Sequence, residues 1–390
     1  MINQEAMAKA TERQRFMALA GLYASIFAFG ISFGGLVPWM ARELELAGND
    51  TTLIGLVSAA HPIGVLIMSP FTQRVVRRVG SGNAMIFGTL IGTVTLVPMA
   101  FSQSVWLWLG LRFICGLAGS APWVVTETWI NEATTDRNRG RAIAFYAAIM
   151  AAGFAVGPKT LDWAITMNAS PLPWFIGLQV ISMIVVLPLR RLGPVLDDNG
   201  EQHVGHVFLA VPALMSAAFV SGAIDASAFS FLAIWGNRVG YDESFALTLL
   251  SIFIAGNVIL QFPIGWMADR LGPRLVMVGC GVVCIIGPLL FLSSVAAMPD
   301  ILAVVAFVWG GCVWGSYSVA LVAMGRRYAG GELAVVNAAF VMAYTCANVT
   351  APPLSGLAME ILDPHGLMVV ALVVAAAFTL LVLARRREFE

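Results

Sequence analysis

Basic residues fall in alternate gaps between the long apolar runs of this chain, a spacing that a soluble fold has no reason to keep. Read from the N-terminus, twelve runs cover about 16–40, 52–72, 84–101, 105–128, 142–163, 172–189, 207–234, 244–268, 275–294, 300–322, 335–358 and 365–384. Eighteen of the twenty-two Lys and Arg residues lie in every second gap. They are Lys9, Arg13, Arg15; Arg74, Arg77, Arg78; Arg137, Arg139, Arg141; Arg190, Arg191; Arg270, Arg274; Arg326, Arg327; and Arg385, Arg386, Arg387. The other gaps hold only Arg42 and Arg238, while Arg112 and Lys159 sit inside runs. Cytoplasmic loops retain Lys and Arg, and outward loops lack them. The pattern predicts an all-α membrane protein of twelve transmembrane helices with both termini in the cytoplasm.

Composition agrees with that class. The hydrophobic share is 59% and the charged share 11%, against roughly a quarter charged in a soluble domain. A spanning helix takes about 20 mostly apolar residues, so twelve of them leave no room in 390 positions for a soluble catalytic domain. The formal net charge is zero, and no nucleic-acid partner is expected. The first run is too long, and lacks the small-residue site, for a cleaved signal peptide. Cys115, Cys280, Cys284, Cys312 and Cys346 all lie within runs, and their number is odd. They read as small packing residues, with no disulfide or metal site expected. Low Lys beside abundant Ala, Gly, Val and Arg points to a bacterial source, and so to the cytoplasmic (inner) membrane.

The most hydrophilic internal stretch, 190–206, separates six runs from six. The expected organisation is an N-terminal six-helix bundle over 1–190, a cytoplasmic linker over 191–206 and a C-terminal six-helix bundle over 207–390. The halves echo one another. RRVGSG at 77–82 matches DRLGPR at 269–274, Gly119-Ser120 matches Gly315-Ser316, and Gly157-Pro158 falls opposite Pro352-Pro353. A repeat at half the chain length implies two pseudo-symmetric halves related by an axis along the membrane normal. Small residues recur four apart at Gly30/Gly34, Gly88/Gly92, Gly153/Gly157 and Gly311/Gly315, a spacing that lets helices approach closely in lipid.

Residues 265–274, GWMADRLGPR, resemble the loop motif Gly-x-x-x-Asp-Arg-x-Gly-x-Arg of the major facilitator superfamily. Gly265, Asp269, Arg270, Gly272 and Arg274 match it. The resemblance implies a fold of two six-helix bundles and a cytoplasmic gate element that helps latch the outward-open state. In the first half the motif departs, with Gln73 for the first Gly and Arg77, followed by Arg78, where the Asp belongs. TETWINEATTDRNRGR at 126–141, followed by Phe145-Tyr146 and Gly157-Pro158, is similar to the bacterial YcaD-like branch. Arg112, Gly116 and Gly119 resemble the superfamily's fourth-helix pattern, and Gly153, Gly157 and Pro158 resemble its fifth-helix antiporter motif without the closing Gly pair. The resemblance also implies that the first, fourth, seventh and tenth helices line a central cavity.

Ionisable groups at membrane depth mark where function concentrates. Arg112, Gly116, Gly119, Trp123 and Glu127 share one stripe of a helix at 100° per residue. Arg112 either faces the cavity and meets an anionic substrate or a coupled carboxylate, or snorkels and pairs structurally. Asp225 lies deep in the seventh run with no charged neighbour in sequence, and is a candidate for proton or substrate work or for a structural bond. Glu127 reads as a gate contact to the Arg-rich loop at 74–78 or to Arg137 and Arg141, supplying the acid missing at Arg77. Lys159 and Asp162 are three apart and can pair on one helix, or Lys159 can hold an acidic ligand. His61 precedes Pro62 in mid-run and is either a proton relay or a neutral, bonded imidazole. Asn337, Tyr344 and Asn348 share a face, as do Asn257 and Gln261; both stripes read first as interhelical hydrogen bonds, with Asn348 kept as a cavity candidate. Trp314 with Tyr317 is the better stacking pair than Trp309. Trp39, Trp106, Trp108, Trp163, Trp174 and Trp235 read as outward aromatic belts.

These features predict a secondary active transporter of a small organic solute, proton-coupled and working by alternating access. The alternative is a transport-inactive sensor or assembly partner on the same fold. No phosphate-binding Gly-x-x-x-x-Gly-Lys-Ser/Thr loop occurs, and no catalytic residues, cofactor or enzymatic activity are expected. The expected partners are the solute, protons and the lipid bilayer, with the chain acting as a monomer.

Overall fold

A computed structural model of the chain describes residues 12–134, 136–192, 207, 210–328 and 330–388. Thirteen α-helices are present among them: α1 (Glu12–Leu46), α2 (Thr51–Val79), α3 (Ser81–Leu96), α4 (Val105–Ala133), α5 (Asp136–Thr166), α6 (Leu172–Val186), α7 (Pro212–Arg238), α8 (Glu243–Ile259), α9 (Gln261–Leu271), α10 (Pro273–Phe291), α11 (Pro299–Arg327), α12 (Gly330–Ile361) and α13 (Gly366–Ala384). No strand occurs among the described residues, as a bilayer demands of any span that is not a closed barrel. Most of the 190–206 segment lies outside the described residues.

Among the described residues nine helices are long and apolar enough to cross a membrane, and α8 with α9, meeting at a 40° bend, makes a tenth. The remaining two of the expected twelve fall short for separate reasons. At 15 residues α6 is brief, although a 3-10 turn over Leu187–Leu192 extends it. The α5 helix is 31 residues long but carries Arg137, Arg139 and Arg141 near one end and Lys159 and Asp162 near the other.

The chain divides into two units, residues 1–47 with 60–199 and residues 48–59 with 200–390. The boundary near 200 falls in the hydrophilic stretch. The opening of α2 goes with the second unit: Thr51 Oγ1 donates to Gly356 O at 2.7 Å and Thr52 N to Glu360 Oε1 at 2.8 Å.

Each unit repeats one packing plan. In the first, α1 packs on α5 and α6, and α3 on α4 and α6; in the second, α7 packs on α12 and α13, and α10 on α11 and α13. The echo extends to single backbone contacts. A Cβ on Gly64 would collide with Phe113 O and one on Gly116 with His61 O; in the second unit the collisions are Gly256 with Phe307 O and Gly310 with Phe253 O. The four positions of one crossing lie 192 or 194 residues from those of the other. Glycine is required at each because backbone meets backbone, which is how helices gain contact where lipid supplies no hydrophobic force. A second echo is a turn of one residue. Gly80 between α2 and α3 has φ 87° and ψ 142°, and Gly272 between α9 and α10 has φ 86° and ψ 146°. Only glycine enters that region readily.

The spaced glycines of α1 and α5 meet one another. A Cβ on Gly30 would lie 2.9 Å from Met150 O and 3.1 Å from Gly153 Cα, and Gly157 abuts Gly34. Polar bonds fasten the same unit: Thr93 donates to Gln179, Gln179 to Ser32, and Ser32 to Phe175 O at 3.0, 3.2 and 3.1 Å. Trp106, Trp163 and Trp174 are exposed, as the belt reading requires, whereas Trp39, Trp108 and Trp235 are buried and do not fit it. Trp108 stacks on Trp39 at 5.3 Å and donates its indole N–H to Ser102 O, while Trp235 packs on Phe291. Position near a helix end could not separate a lipid-facing indole from one turned inward.

Candidate functional site

In the first unit Arg112 is 2% exposed, so it does not snorkel. Its Nε and Nη1 have no hydrogen-bond partner among the described residues. Its guanidinium lies 5.8 Å from the Phe33 ring, too far for more than a weak cation–π attraction. Phe33 also contacts His61, Phe29 and Phe154, with ring centroids 5.6–5.8 Å apart. A Cβ on Gly119 would sit 3.4 Å from His61 Nε2. Arg112 and His61 therefore share a pocket walled by phenyl rings from α1 and α5, with the small residues of α4 making room. An uncompensated cation at membrane depth costs about 2.5–3.5 kcal/mol even on the lower scales.

In the second unit Asp225 is 7% exposed and faces neutral donors. Tyr344 donates its hydroxyl to Oδ2 at 3.2 Å. The Asn257 amide in one orientation donates to Oδ1 at 3.4 Å; in the other it donates to Gly310 O and accepts from Trp314 Nε1 at 3.0 Å. The second orientation satisfies more groups and leaves Tyr344 as the firm donor to Asp225. Around this carboxyl group four rings interlock: Trp314 and Tyr317 at 5.3 Å, Trp314 and Tyr344 at 5.9 Å, Tyr317 and Tyr344 at 5.6 Å, and Tyr317 and Phe340 at 4.7 Å. Asn348, one turn beyond Tyr344, lies beside its hydroxyl. Trp309 is instead fully buried against Phe253 and Phe291.

The structure thus gathers Arg112 with His61, and Asp225 with Trp314, Tyr317 and Asn348. It leaves three candidates apart. Lys159 bonds Asp162 at 3.2 Å, with its side chain 44% exposed. Trp123 is exposed and hydrogen-bonds Glu127 one turn later. The side chain of Arg137, an expected partner of Glu127, lies outside the described residues. Sequence reading passed over Phe33 and gave Tyr344 and Asn257 a structural role. The helix faces shared by Tyr344 with Asn348 and by Asn257 with Gln261 were the available signal.

The loop motif forms a charged corner of the second unit. Asp269 pairs with Arg326 at 2.8 Å, Arg270 lies 4.1 Å over the Trp266 ring, and Arg274 donates to Val382 O and Leu383 O at 3.4 and 2.9 Å. The last two bonds satisfy carbonyls at the open C-terminal end of α13. Among the described residues no group of three or more His, Cys, Asp or Glu side chains could hold a metal ion.

Comparison with known proteins agrees with this architecture. The family model described as the Major Facilitator Superfamily matches residues 18–196 and 214–390. The uncharacterized MFS-type transporter YcaD of Shigella flexneri is 25% identical over 378 residues, covering 95% of each chain. The uncharacterized MFS-type transporter Ent638_1421 of Enterobacter sp. (strain 638) is 25% identical over 387 residues, covering 96% of this chain and 97% of its own. Among solved structures, the nucleoside transporter NupG superposes with a TM-score of 0.77 at 16% identity, covering 97% of this chain and 99% of that one. A bacterial homolog of the human lysosomal transporter Spinster, inward-facing and occupied, gives 0.77 at 14% identity, covering 98% and 99%. With the glycine crossings, the repeated turn and the charged corner already pointing there, the chain belongs to the Major Facilitator Superfamily of membrane transporters, in its YcaD-like branch.

Proposed function

We propose that the protein is a secondary active transporter that carries a small organic solute by alternating access and draws on the proton gradient. The observation that carries this reading is the Asp225 carboxyl group, buried and met by the neutral donor Tyr344, with no ion pair to it among the described residues. Such a group can exchange a proton or a donor-bearing solute without first breaking a salt bridge. Trp314 and Tyr317 offer ring faces beside it, and in the first unit Arg112 is a separate candidate for meeting an anionic group. The corner at Asp269, Arg270 and Arg274 serves as a cytoplasmic gate in this reading. Uptake into proteoliposomes under an imposed pH gradient tests it. Asp225→Asn should abolish gradient-driven accumulation while leaving counterflow exchange of the solute. Full gradient dependence in that variant would remove Asp225 from coupling.

A further inference from the structure

A cavity of about 500 Å³ lies in the second unit, walled by Arg327, Ala384, Arg385, Arg386, Arg387 and Glu388 together with Ala210. None of its lining residues belongs to the Asp225 cluster or to the gate corner, although Arg327 and Ala384 adjoin Arg326 and Leu383 of that corner. The 19-residue, mostly apolar helix α13 ends at Ala384, so the cavity opens where the hydrocarbon core gives way to headgroups. Its walls are fixed by bonds between separate segments. Glu388 Oε2 accepts from Ala213 N at 2.9 Å and Leu214 N at 3.2 Å, capping the first turn of α7. Arg327 Nη1, at the end of α11, donates to Arg387 O at 3.1 Å.

Two features of this lining call for a particular occupant. Four arginines line it against one acidic residue, and guanidinium forks bind phosphate oxygens in pairs. Glu388 is 7% exposed, yet its Oε1 has no hydrogen-bond partner among the described residues. An unpaired buried oxygen in that place requires a donor. Burial raises the Glu388 carboxyl group above its ordinary range, against the pull of the two N–H groups and of Arg385 and Arg327.

We infer that this cavity binds a phospholipid headgroup in which a phosphodiester is accompanied by a hydrogen-bond donor, as in phosphatidylglycerol. The phosphate oxygens meet the arginine side chains and a headgroup hydroxyl donates to Glu388 Oε1. Basic pockets between membrane helices take anionic headgroups for the same electrostatic reason. A headgroup held there would tie the ends of α11 and α13 to the start of α7, the helix that carries Asp225. The inference stands independently of the transport reading.

Thermal unfolding of the full chain in detergent tests it, with short-chain phosphatidylglycerol, short-chain phosphatidylcholine and sodium phosphate added in separate series. Phosphatidylglycerol should raise the midpoint saturably, and phosphatidylcholine, which has the same phosphodiester but no donor and a quaternary ammonium that the arginines repel, should raise it less. The Arg386→Gln/Arg387→Gln pair should lose the shift, and Glu388→Gln should reduce it. Native mass spectrometry should find phosphatidylglycerol retained by the parent chain and released by the arginine variant, which keeps the inference testable if Glu388→Gln fails to fold. Equal shifts with the two lipids, a full shift with phosphate alone, or a phosphatidylglycerol shift that survives in the arginine variant would each overturn it.

Discussion

Arg112 is buried without a hydrogen-bond partner for two of its nitrogens among the described residues, which leaves both free to donate to an anionic solute in the proposed reading. A charge-assisted hydrogen bond is worth about 1.5–3 kcal/mol, which converts to roughly 10- to 150-fold in affinity. Arg112→Gln should therefore raise the KM for an anionic solute by about that factor, with Arg112→Lys between it and the parent, because Lys keeps the charge and loses the fork. Uptake titrations on the three proteins decide it; an unchanged KM in Arg112→Gln would make the residue structural. Charge was legible at this scale because an Arg or Asp inside an apolar run stands out against its surroundings. Neutral partners were not: Tyr344 and Asn257 look in sequence like ordinary interhelical bonds, and only the fold brings them to Asp225. Trp123 shares the angular stripe of Arg112 but is eleven residues on, about 16 Å along the helix axis. Angle alone could not say that the two would stand apart.

Among the helices, the strongest constraint is the pair of glycine crossings, α2 on α4 and α8 on α11. Gly116 and Gly310 each leave no room for a methyl group, because a carbonyl of the partner helix occupies its place. Overpacking of this kind costs about 1–3 kcal/mol. Gly116→Ala and Gly310→Ala should each lower the unfolding midpoint in detergent, and by similar amounts, since the two crossings are copies. Gly279, where an added Cβ meets nothing within 4 Å, is the control: Gly279→Ala should be neutral or stabilising by about 0.4–1 kcal/mol. Parity between Gly279→Ala and the other two would mean that the crossings separate easily and that the repeat is one of sequence more than of packing. The repeat itself was readable from RRVGSG and DRLGPR, and Gly80 and Gly272 at their centres adopt nearly one backbone conformation. The crossings escaped notice because Gly64 and Gly256 have no motif around them; their equivalence needs the partner carbonyls of Phe113 and Phe307. The bend between α8 and α9 was not read from the apolar run at 244–268, although Pro263 marks it: a proline has no N–H to offer Ile259 O four residues back, beside the break at Leu260.

For the molecule as a whole, sidedness rests on the arginines, and the two helices that fall short of an ordinary span are where it can fail. The α5 helix starts in the basic segment holding Arg137, Arg139 and Arg141, and α6 leads on to Arg190 and Arg191. If both cross, the turn between them lies outside, and that turn includes Ser170, which is exposed. If neither crosses, Ser170 stays on the arginine side, and the six crossings made by α7 to α13 keep their orientation all the same. The basic gaps alone do not distinguish these cases, because removing two crossings preserves parity. Composition argues for crossing: Lys159 and Asp162 pair with each other, which offsets part of the charge that α5 carries into the apolar layer, and the 3-10 turn at Leu187–Leu192 lengthens α6. A single added cysteine separates the outcomes. In intact cells a membrane-impermeant maleimide should label Ser170→Cys and spare Glu332→Cys, which lies exposed beside Arg326 and Arg327 on the opposite expected face; permeabilised cells should label both. The five native cysteines are buried or half-buried, so the parent chain sets a low background. Protection of Ser170→Cys in intact cells would reduce the first unit to four crossings and break its equivalence with the second.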